Sequence, residues 1–287
     1  MEQLIIKGKY IIHKQIGQGK FGKVYSGLYI KNNKHVAIKV EYNETLYQTL
    51  KHEACILNHL NSNKCKYIPL VYWYGVINNY KTLIIPYYNC SLYEYIKIKQ
   101  ISISQINNIM IQMIHILESI HKYGVIHRDI KPHNFMVKSG EIYLIDFGLS
   151  TFYIDDAGKH IHNNIKDTII GSPNYISYHI HNGETPSRRD DLISIGYLYI
   201  YLIHKTLLWE NLNIILSKKY NETHILNEKN IKRKELKHWD NIQHICKNTG
   251  FQNQIYQYLH ICYFMEYNET PMYNHMIDLF QLCLSEL

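Results

Sequence analysis

The sequence predicts an α+β fold in which a strand-rich first part is followed by a longer helical part. Residues 10–40 form short runs rich in Ile, Val and Tyr, separated by a glycine-rich loop and by an Asn-Asn turn, which is typical of β-hairpins. From residue 104 onwards apolar side chains recur every three or four positions, which indicates amphipathic helices. The 287 residues are enough for one large domain or for two small lobes with ample core.

The composition is globular and moderately basic, with 46% hydrophobic residues and a formal net charge of +7. Such a charge is compatible with nucleic acid, an anionic membrane or an acidic substrate as a partner. The densest basic run, Lys232–Lys234, is expected to be a solvated face or loop. Because no aromatic–basic platform accompanies it, the sequence predicts no specific nucleic-acid partner.

The cysteines, the first residues and the apolar runs indicate in which cellular compartment the protein is expected. The six cysteines include no C-x-x-C pair, so neither a zinc knuckle nor a redox pair is indicated. The first residues lack the apolar core of a signal peptide, and we therefore expect an intracellular protein of the cytoplasm or the nucleus. The longest apolar run, Leu192–Ile203, is shorter than the roughly 20 residues that span a bilayer, so we expect no membrane segment.

Three glycines, Gly17, Gly19 and Gly22, lie inside the first predicted hairpin. Glycine lets a backbone approach phosphate groups because no Cβ stands in the way. The dinucleotide-binding version of this spacing needs a helix directly after the glycines, and no helical pattern follows here. The loop is therefore a candidate phosphate cover, with an ordinary hairpin turn as the alternative.

A lysine at the end of an apolar strand, Lys39, and an acid on the next helix, Glu53, form a predicted ion pair. A buried lysine is costly unless an acid neutralises it. The helix is predicted over residues 45–60, and Glu53 falls on its apolar stripe where a leucine is expected. The alternative is a surface glutamate on an irregular helix. The stripe consists of Leu46, Leu50, Leu57 and Leu60.

Residues 126–135, Ile-His-Arg-Asp-Ile-Lys-Pro-His-Asn-Phe, bring an acid, a lysine and an asparagine close together in the chain. Asp129 can orient a hydroxyl, Lys131 can neutralise a phosphate and Asn134 can hold a metal ion. The strand that follows is predicted to end at Asp146, where the carboxylate can reach a metal beside Asn134. The alternative is a polar loop that joins a helix to a strand.

The remaining elements follow from periodicity and from turn residues. A helix from Leu192 to His204 is apolar nearly all round and is predicted to be buried, with Asp190 or Asp191 as its N-cap. The other predicted elements are two strands within 67–85 and helices over 92–98, from 104 to near 124, and over 241–246, 253–266 and 273–284.

Taken in order, the glycine loop, the strand lysine, the helix glutamate, the H-R-D-x-K-x-x-N segment and the Asp-Phe-Gly at 146–148 resemble a protein kinase. The second half narrows the resemblance. Gly-Ser-Pro-Asn-Tyr-Ile-Ser at 171–177 and Ser-Arg-Arg-Asp-Asp-Leu at 187–192 resemble the casein kinase 1 family, with the vaccinia-related kinases ranked second. The resemblance spans nearly the whole chain.

This resemblance implies a bilobal protein-kinase fold with ATP bound between the lobes. The β-rich N-lobe would cover about 1–85, the hinge about 86–91 and the mainly helical C-lobe about 92–287. In the N-lobe the glycine loop would cover the phosphates, Lys39, fixed by Glu53, would hold the α- and β-phosphates, and Val24 and Ala37 would contact the adenine. The backbone of the hinge would also bind the adenine. The implied nucleotide-binding residues are Ile16, Gly17, Gly19, Gly22, Val24, Ala37, Lys39, Glu53, Pro86, Tyr88 and Asp146.

In the C-lobe the resemblance implies the catalytic residues. Asp129 would be the base that accepts the substrate hydroxyl proton, and Lys131 would sit against the γ-phosphate. Asn134 and Asp146 would hold Mg²⁺, and Asp191 would brace the loop. A lysine two residues after the catalytic aspartate marks Ser/Thr kinases. We therefore expect ATP-dependent phosphorylation of protein Ser/Thr hydroxyls.

Two residues depart from the family pattern. Pro86 replaces a hinge glutamate, although its carbonyl and the Tyr88 N–H can still bind adenine. Asn174 replaces an arginine with which the family binds phosphate or acidic groups on substrates, which puts that preference in question. The basic residues that would compensate, unless they are plain surface lysines, are Lys166, Lys218 and Lys219.

The chain ends where the kinase domain of the family ends, so we expect constitutive activity without tail autoinhibition or obligatory loop phosphorylation. We also expect a monomer. The richness in Ile, Asn, Lys and Tyr fits an A/T-rich genome, either a protist or a large DNA virus. A viral member would act in the host cytoplasm or the virion. The alternatives are a pseudokinase scaffold that binds ATP with little catalysis and a small-molecule phosphotransferase of related fold.

Overall fold

The computed structural model of the protein describes residues 5–19, 22–44, 48–165, 169–212, 222–247 and 252–282, without the side chains of 222–226 and 252. The chain divides into two compact units. Unit 1 comprises Met1–Leu92 and Phe135–Ser150, and unit 2 comprises Tyr93–Asn134 and Thr151–Leu287.

The described residues form eleven strands and nine α-helices. The strands are β1 (Ile5–Ile6), β2 (Tyr10–Gln18), β3 (Lys23–Tyr29), β4 (Lys34–Tyr42), β5 (Trp73–Ile77), β6 (Tyr80–Pro86), β7 (Cys90–Ser91), β8 (Val125–Ile126), β9 (Phe135–Lys138), β10 (Glu141–Leu144) and β11 (Thr151–Phe152). The helices are α1 (Thr49–Ser62), α2 (Leu92–Ile98), α3 (Ile103–Lys122), α4 (Tyr178–His181), α5 (Arg188–His204), α6 (Glu222–Leu236), α7 (Trp239–Lys247), α8 (Gln252–Phe264) and α9 (Tyr273–Gln281).

Unit 1 is built on a six-stranded sheet with the strand order β1-β2-β3-β4-β6-β5, in which every neighbouring pair is antiparallel. β4 lies inside this sheet, between β3 and β6. Val36 and Ile38 of β4 and Ile84 of β6 are completely buried. Burial of these branched side chains on a pleated surface is what makes the Val/Ile-rich runs strands. A central strand is also rigid, and β4 carries Lys39.

The helix of unit 1, α1, packs against β4 and β6. The helix predicted over 45–60 is confirmed, although it begins at Thr49 and ends at Ser62. Its buried face includes Leu50, Leu57 and Leu60 of the predicted stripe, and also Glu53. Residues 45–47, among them the fourth predicted stripe residue, Leu46, lie outside the described part of the chain.

The two strands predicted within 67–85 are confirmed as β5 and β6, but β5 begins only at Trp73. The first residues of the predicted strand do not suit a ladder, because Tyr67 has a φ of +61° and Pro69 has no amide hydrogen to donate, although Tyr72 N still donates to Ile84 O of β6 at 2.9 Å. A second sheet of unit 1 has the order β10-β9-β7. It places Asp146 two residues after the end of β10.

In unit 2, α3 is capped by the side chains at its own N-terminus. The Ser102 side chain accepts a hydrogen bond from Gln105 N, and the Gln105 side chain accepts one from Ser102 N. This capping box starts the helix at Ile103, one residue before the predicted start. The helix ends at Lys122, and Gly124, the predicted C-terminal glycine, has a φ of +77°.

The most deeply buried helix of unit 2 is α5, in which every residue from Arg189 to Leu202 is buried. This confirms the prediction of a helix buried on all sides. The prediction that Asp190 or Asp191 is the N-cap of this helix is wrong, because Ser187 occupies the cap position. Asp190 lies in the first turn instead, and its carboxylate accepts a 2.7 Å hydrogen bond from Ser187 N.

Other helices of unit 2 pack around α5. α5 contacts α3 and α8, and α9 contacts α3. Two buried tyrosine hydroxyls find partners in this core: Tyr199 donates to Asn107 Oδ1 at 2.9 Å, and Tyr258 donates to Leu192 O at 2.9 Å. Without such partners these hydroxyls would weaken the core. The predicted helices over 92–98, 241–246, 253–266 and 273–284 correspond to α2, α7, α8 and α9, as far as residue 282.

The predicted α+β class is confirmed, with a β-sheet N-terminal region and a helical C-terminal region. The lobe boundaries at about 85 and 92 stay predictions. Among the helices of the described residues, none is long and apolar enough to cross a membrane.

Candidate active site

The glycine loop joins β2 to β3. Gly17 pairs with Val24 across the hairpin, and Gly19 N donates a 2.9 Å hydrogen bond to Gly22 O. A Cβ at Gly22 would stand 2.1 Å from Val40 O, so only glycine fits at this position. Lys20 and Phe21, between Gly19 and Gly22 in the sequence, lie outside the described residues. Ile16, before the loop, is 40% exposed.

Lys39 lies between two carboxylates of unit 1. Its Nζ is 2.7 Å from Glu53 Oε1, 2.9 Å from Glu53 Oε2 and 3.0 Å from Asp146 Oδ1. Glu53 is 1% exposed, and it also accepts a hydrogen bond from Phe147 N at 3.3 Å. The pairing of Lys39 with Glu53 that the sequence predicts is confirmed. The contact with Asp146 is an addition that the sequence does not reveal.

The charges around Lys39 keep it protonated. Burial alone would lower the pKa of Lys39, but the negative charges of Asp146 and Glu53 outweigh it and raise the pKa above its ordinary value. The ammonium group is therefore a permanent cation at neutral pH. Asp146 has a φ of +70° and a side chain that is 47% exposed, so its carboxylate is both anchored by Lys39 and open to solvent.

The residues predicted to surround the adenine belong to β3, β4 and β6 and to the segment after β6. Ala37 lies opposite Ser26 on one side and Ile85 on the other. Pro86 is the last residue of β6, and the Tyr88 ring lies 5.1 Å from that of Tyr143. Burial raises the pKa of Tyr88, so its phenol stays neutral. The structure places Val24 on β3, where it pairs with Lys39.

The catalytic-loop residues of unit 2 hold one another. Lys131 Nζ donates to Asp129 Oδ2 at 2.7 Å. Asn134 Nδ2 donates to the backbone oxygen and to Oδ2 of Asp129 at 2.8 and 3.1 Å. Lys131 Nζ and Asn134 Nδ2 therefore both donate to the same oxygen of the buried Asp129 carboxylate, which fixes its orientation.

Ser172 completes this group, and sequence reasoning misses it. Its Oγ donates a 2.7 Å hydrogen bond to Asp129 Oδ1 and accepts one of 3.2 Å from Lys131 Nζ. A serine in a polar loop carries no periodic signal, so only the tertiary structure brings it to the aspartate. Gly171, directly before it, has a φ of +104°, and a Cβ there would stand 2.4 Å from Arg128 O.

Asp191, in the first turn of α5, fixes the backbone of the loop, as the sequence analysis expects. Its carboxylate accepts hydrogen bonds from His127 N at 2.7 Å and from Arg128 N at 2.9 Å. The imidazole Nε2 of His121 lies 3.0 Å from the same carboxylate. Burial would raise the pKa of Asp191, but the bonds to His121 and His127 outweigh it and lower the pKa. Arg128 has a φ of +66°, a strained conformation that these bonds help to hold.

The segment 171–177 is fastened by residues from further along the chain. Lys237 is fully buried, and its Nζ donates to Pro173 O at 2.8 Å and to Ile176 O at 2.7 Å. Trp209 Nε1 donates to Asn174 O at 2.7 Å. A buried lysine at the end of a polar helix looks like a surface residue in the sequence, and for that reason it is missed.

The prediction that Lys232–Lys234 is a solvated face is wrong for its middle residue. Arg233 Nε donates a 3.1 Å hydrogen bond to Asn174 Oδ1, and its guanidinium lies near Asn230 Oδ1 at 3.3 Å. The exposed Lys232 pairs with Glu235 on the same helix, as a solvated face requires. The three lysines expected to compensate for Asn174 (Lys166, Lys218 and Lys219) lie outside the described residues.

The residues predicted to hold a metal lie in different units, Asn134 in unit 2 and Asp146 in unit 1. Their donor types fit Mg²⁺, which binds carboxylate and amide oxygens. The Asn134 amide nitrogen donates to Asp129, so the oxygen is the atom of this side chain that is left for a cation. Among the described residues, no three His, Cys, Asp or Glu side chains cluster as a further metal site.

The fold and these residues define a phosphotransferase class of protein, in which a lysine–glutamate pair, an Asp-Phe-Gly and an aspartate-centred loop occur together. The comparison with protein families agrees: the model described as protein kinase domain matches residues 10–285. The match covers nearly the whole chain, and the chain belongs to the protein kinase family. Membership implies ATP as a substrate and proteins as phosphate acceptors.

Proposed function

We propose that the protein is a Ser/Thr protein kinase of the casein kinase 1 type, which transfers the γ-phosphate of ATP to Ser and Thr hydroxyls of proteins. One observation carries this proposal: Asp129 is held in a single orientation by Lys131, Asn134 and Ser172. A base that accepts a proton from an alcohol must be fixed and ionised before the substrate arrives.

The proposed reaction is an in-line displacement. The substrate oxygen attacks the γ-phosphorus, the bond from that phosphorus to the β–γ bridging oxygen breaks, and ADP leaves. The hydroxyl proton passes to Asp129. Lys131 would neutralise charge on the transferred phosphoryl group, because its ammonium already lies 2.7 Å from the base. Positioning and charge neutralisation supply most of the rate enhancement in such transfers.

The residues of unit 1 would hold the nucleotide. Lys39 is a permanent cation and would contact the α- and β-phosphates. Gly22 would let the hairpin backbone approach the phosphates. The backbone of Pro86 and Tyr88 would bind the adenine edge. Mg²⁺, held by Asn134 and Asp146 when bound, would neutralise the phosphate oxygens.

The casein kinase 1 type is supported by what the Ser-Arg-Arg-Asp-Asp segment does. Arg189 forms an ion pair with Glu184 and donates to Met265 O at 2.9 Å. Asp190 accepts from the Ser177 hydroxyl and from Ser187 N. Asp190 thus holds the end of segment 171–177, and Asp191 holds the start of the proposed catalytic loop through His127 N. Residues with such specific partners are typical of a family signature.

The alternative is a pseudokinase scaffold that binds ATP with little catalysis. Proteins of that class usually lose the strand lysine, the catalytic aspartate or the Asp-Phe-Gly aspartate. This chain keeps Lys39, Asp129 and Asp146, and each has close polar partners. We therefore favour catalysis over a scaffold role.

The test is transfer of labelled phosphate from ATP to casein, followed by hydrolysis and identification of the labelled amino acids. We expect phosphoserine and phosphothreonine from the wild type and a loss of at least about 1,000-fold for Asp129→Asn. The matched control is Asp240→Asn, at an aspartate whose side chain is 71% exposed. Equal labelling by Asp129→Asn contradicts the mechanism, and phosphotyrosine as the main product contradicts the Ser/Thr type. ATP binding without transfer supports the scaffold.

A further inference from the structure

The helix that carries Glu53 has no N-terminal cap of its own. Gln48, at the cap position of α1, makes no side-chain hydrogen bond to the first turn, and that turn contains no acidic residue. The first amides of a helix lack partners within it and need an acceptor from elsewhere. For α1 that acceptor comes from the neighbouring strand β4.

The acceptor is the carboxylate of Glu41, which has no exposed surface. Its Oε2 accepts hydrogen bonds from Thr49 Oγ1 at 2.7 Å and from Leu50 N at 3.0 Å. Lys81 Nζ lies 3.8 Å from Oε1 and donates to Asn43 O at 3.0 Å. A negative charge at the start of a helix is also favoured by the helix dipole.

The spacing of these contacts matches that of the Lys39–Glu53 pair. Glu41 and Lys39 are two residues apart on β4, so their side chains share a face and lie about 6.7 Å apart. Thr49 and Glu53 are four residues apart on α1, which is about 6 Å along the helix. The helix is therefore attached to the strand at two points about one turn apart. Two attachments fix both the rotation of α1 about its axis and its position along that axis.

We propose that Glu41 is a positioning residue for Lys39: by binding the first turn of α1, it holds Glu53 against the lysine. Lys81 supports this arrangement by neutralising the buried carboxylate. The proposal rests on the proposed function in that Lys39 serves phosphate transfer. It deepens that function, because it explains how the pair is assembled from residues of this chain alone.

A purely structural role for Glu41 makes a different prediction. In that case its loss lowers the stability of the protein but leaves the folded molecules with an intact Lys39–Glu53 pair. In our proposal the folded molecules themselves change: Glu53 spends part of the time away from Lys39. Lys39 then loses one of its two carboxylates, and its amine becomes more reactive toward acylating reagents.

The experiment compares six proteins: wild type, Glu41→Ala, Glu41→Gln, Thr49→Ala, Glu53→Gln and, as matched control, Glu44→Ala. Glu44 is an exposed acid a few residues before α1 in the chain, and its carboxylate accepts a 3.4 Å hydrogen bond from Asn79 Nδ2. Glu53→Gln serves as the reference for a broken pair. Acetylation of Lys39 by an N-hydroxysuccinimide ester is followed by peptide mass spectrometry, and kcat and KM are measured with ATP and casein well below each melting temperature.

For Glu41→Ala we expect faster Lys39 acetylation, approaching that of Glu53→Gln, and a kcat about tenfold lower with an unchanged KM for casein. Glu41→Gln keeps an oxygen for Leu50 N and should recover most of the kcat. Thr49→Ala removes one hydrogen bond and should change both readouts about two- to threefold. Glu44→Ala should match the wild type.

Folded Glu41→Ala protein with wild-type acetylation and kcat overturns the proposal, even if its melting temperature is lower. If Glu41→Ala does not fold, Thr49→Ala decides: unchanged acetylation and kcat overturn the proposal, and the expected changes support it. A wild type without transferase activity refutes the proposed function alone, because the acetylation arm still shows whether Glu41 keeps Glu53 on Lys39.

Discussion

Ser172 Oγ donates a 2.7 Å hydrogen bond to Asp129 Oδ1, and the two residues lie 43 positions apart in the chain. The serine also accepts from Lys131. Through this hydroxyl, the loop of residues 126–135 and segment 171–177 are joined at Asp129, the proposed base. The orientation of this carboxylate therefore depends on a residue outside its own loop.

Replacement of Ser172 by alanine should lower kcat about tenfold, because a hydrogen bond to a charged group contributes about 1.5 kcal/mol or more. Ser172→Thr keeps the hydroxyl and should retain most of the activity. Steady-state kinetics with ATP and casein, together with a melting curve for each protein, provide the measurement. Wild-type kcat in folded Ser172→Ala protein would show that the hydroxyl is not needed to orient Asp129.

The Lys39–Glu53 pair allows stability to be separated from activity. Lys39→Met leaves the buried Glu53 without its main cation and should lower the free energy of unfolding by about 3–5 kcal/mol. The double variant Lys39→Met/Glu53→Leu removes both charges and should recover much of that stability, while transferase activity stays lost. Urea unfolding measures the free energy of unfolding of both variants, and labelled-phosphate transfer measures their activity. Activity in the stable double variant is the result that contradicts a role for Lys39 in phosphate transfer.

Two glycines with positive φ allow a test of the close contact behind the catalytic loop. Gly140→Ala, at φ +84° with nothing within 4 Å of the new Cβ, should lower the free energy of unfolding by about 1 kcal/mol and leave activity unchanged. Gly171→Ala adds a clash with Arg128 O at 2.4 Å and should cost more than about 3 kcal/mol together with most of the activity. Equal effects of the two substitutions would mean that the clash is relieved without moving the loop.

His181 should make the protein sensitive to mild acid. Burial, together with the nearby charge of Lys237, lowers the pKa of His181 to about 3. Below its ordinary pKa of about 6.5 the unfolded chain takes up a proton that the folded protein does not, so stability is full above that pH and falls as the pH decreases toward 3. One such group contributes a slope of up to about 1.4 kcal/mol per pH unit.

The measurement is urea unfolding at pH 7, 6 and 5 for wild type, His181→Gln and, as control, His115→Gln, at a histidine whose side chain is 54% exposed. His181→Gln should flatten the slope. It should not abolish it, because burial also lowers the pKa of His121. A slope in His181→Gln as steep as in His115→Gln would assign the acid sensitivity to other groups.

Much of the site is predictable because its residues break a local pattern. Glu53 stands out as an acid on an apolar stripe, and Lys39 as a lysine ending a buried strand. Each such violation needs a partner, so the two predict each other. Asp129, Lys131 and Asn134 lie within six residues of the chain, and the motifs that precede and follow them favour a phosphate-transfer site over a polar loop.

Other residues obey the local pattern and so give no signal. Ser172 is a polar residue in a polar loop, and Lys237 ends a helix rich in charges. Glu41 lies near the end of a strand, where an acid is unremarkable. Their partners lie far away in the chain or belong to the backbone, which a sequence pattern does not encode. The start of α5 is misjudged for a related reason, since Asp190 serves the helix end from inside the first turn, by accepting from the cap residue Ser187, and also binds the distant Ser177.

Asp191 attaches the loop that carries Asp129 to α5, a helix that is buried from Arg189 to Leu202. Both of its carboxylate oxygens are used inside this helix core, on the backbone amides of His127 and Arg128. Substitutions on the exposed faces of unit 2 should therefore leave this backbone in place. The surface that other molecules meet can change while the geometry of the loop is kept.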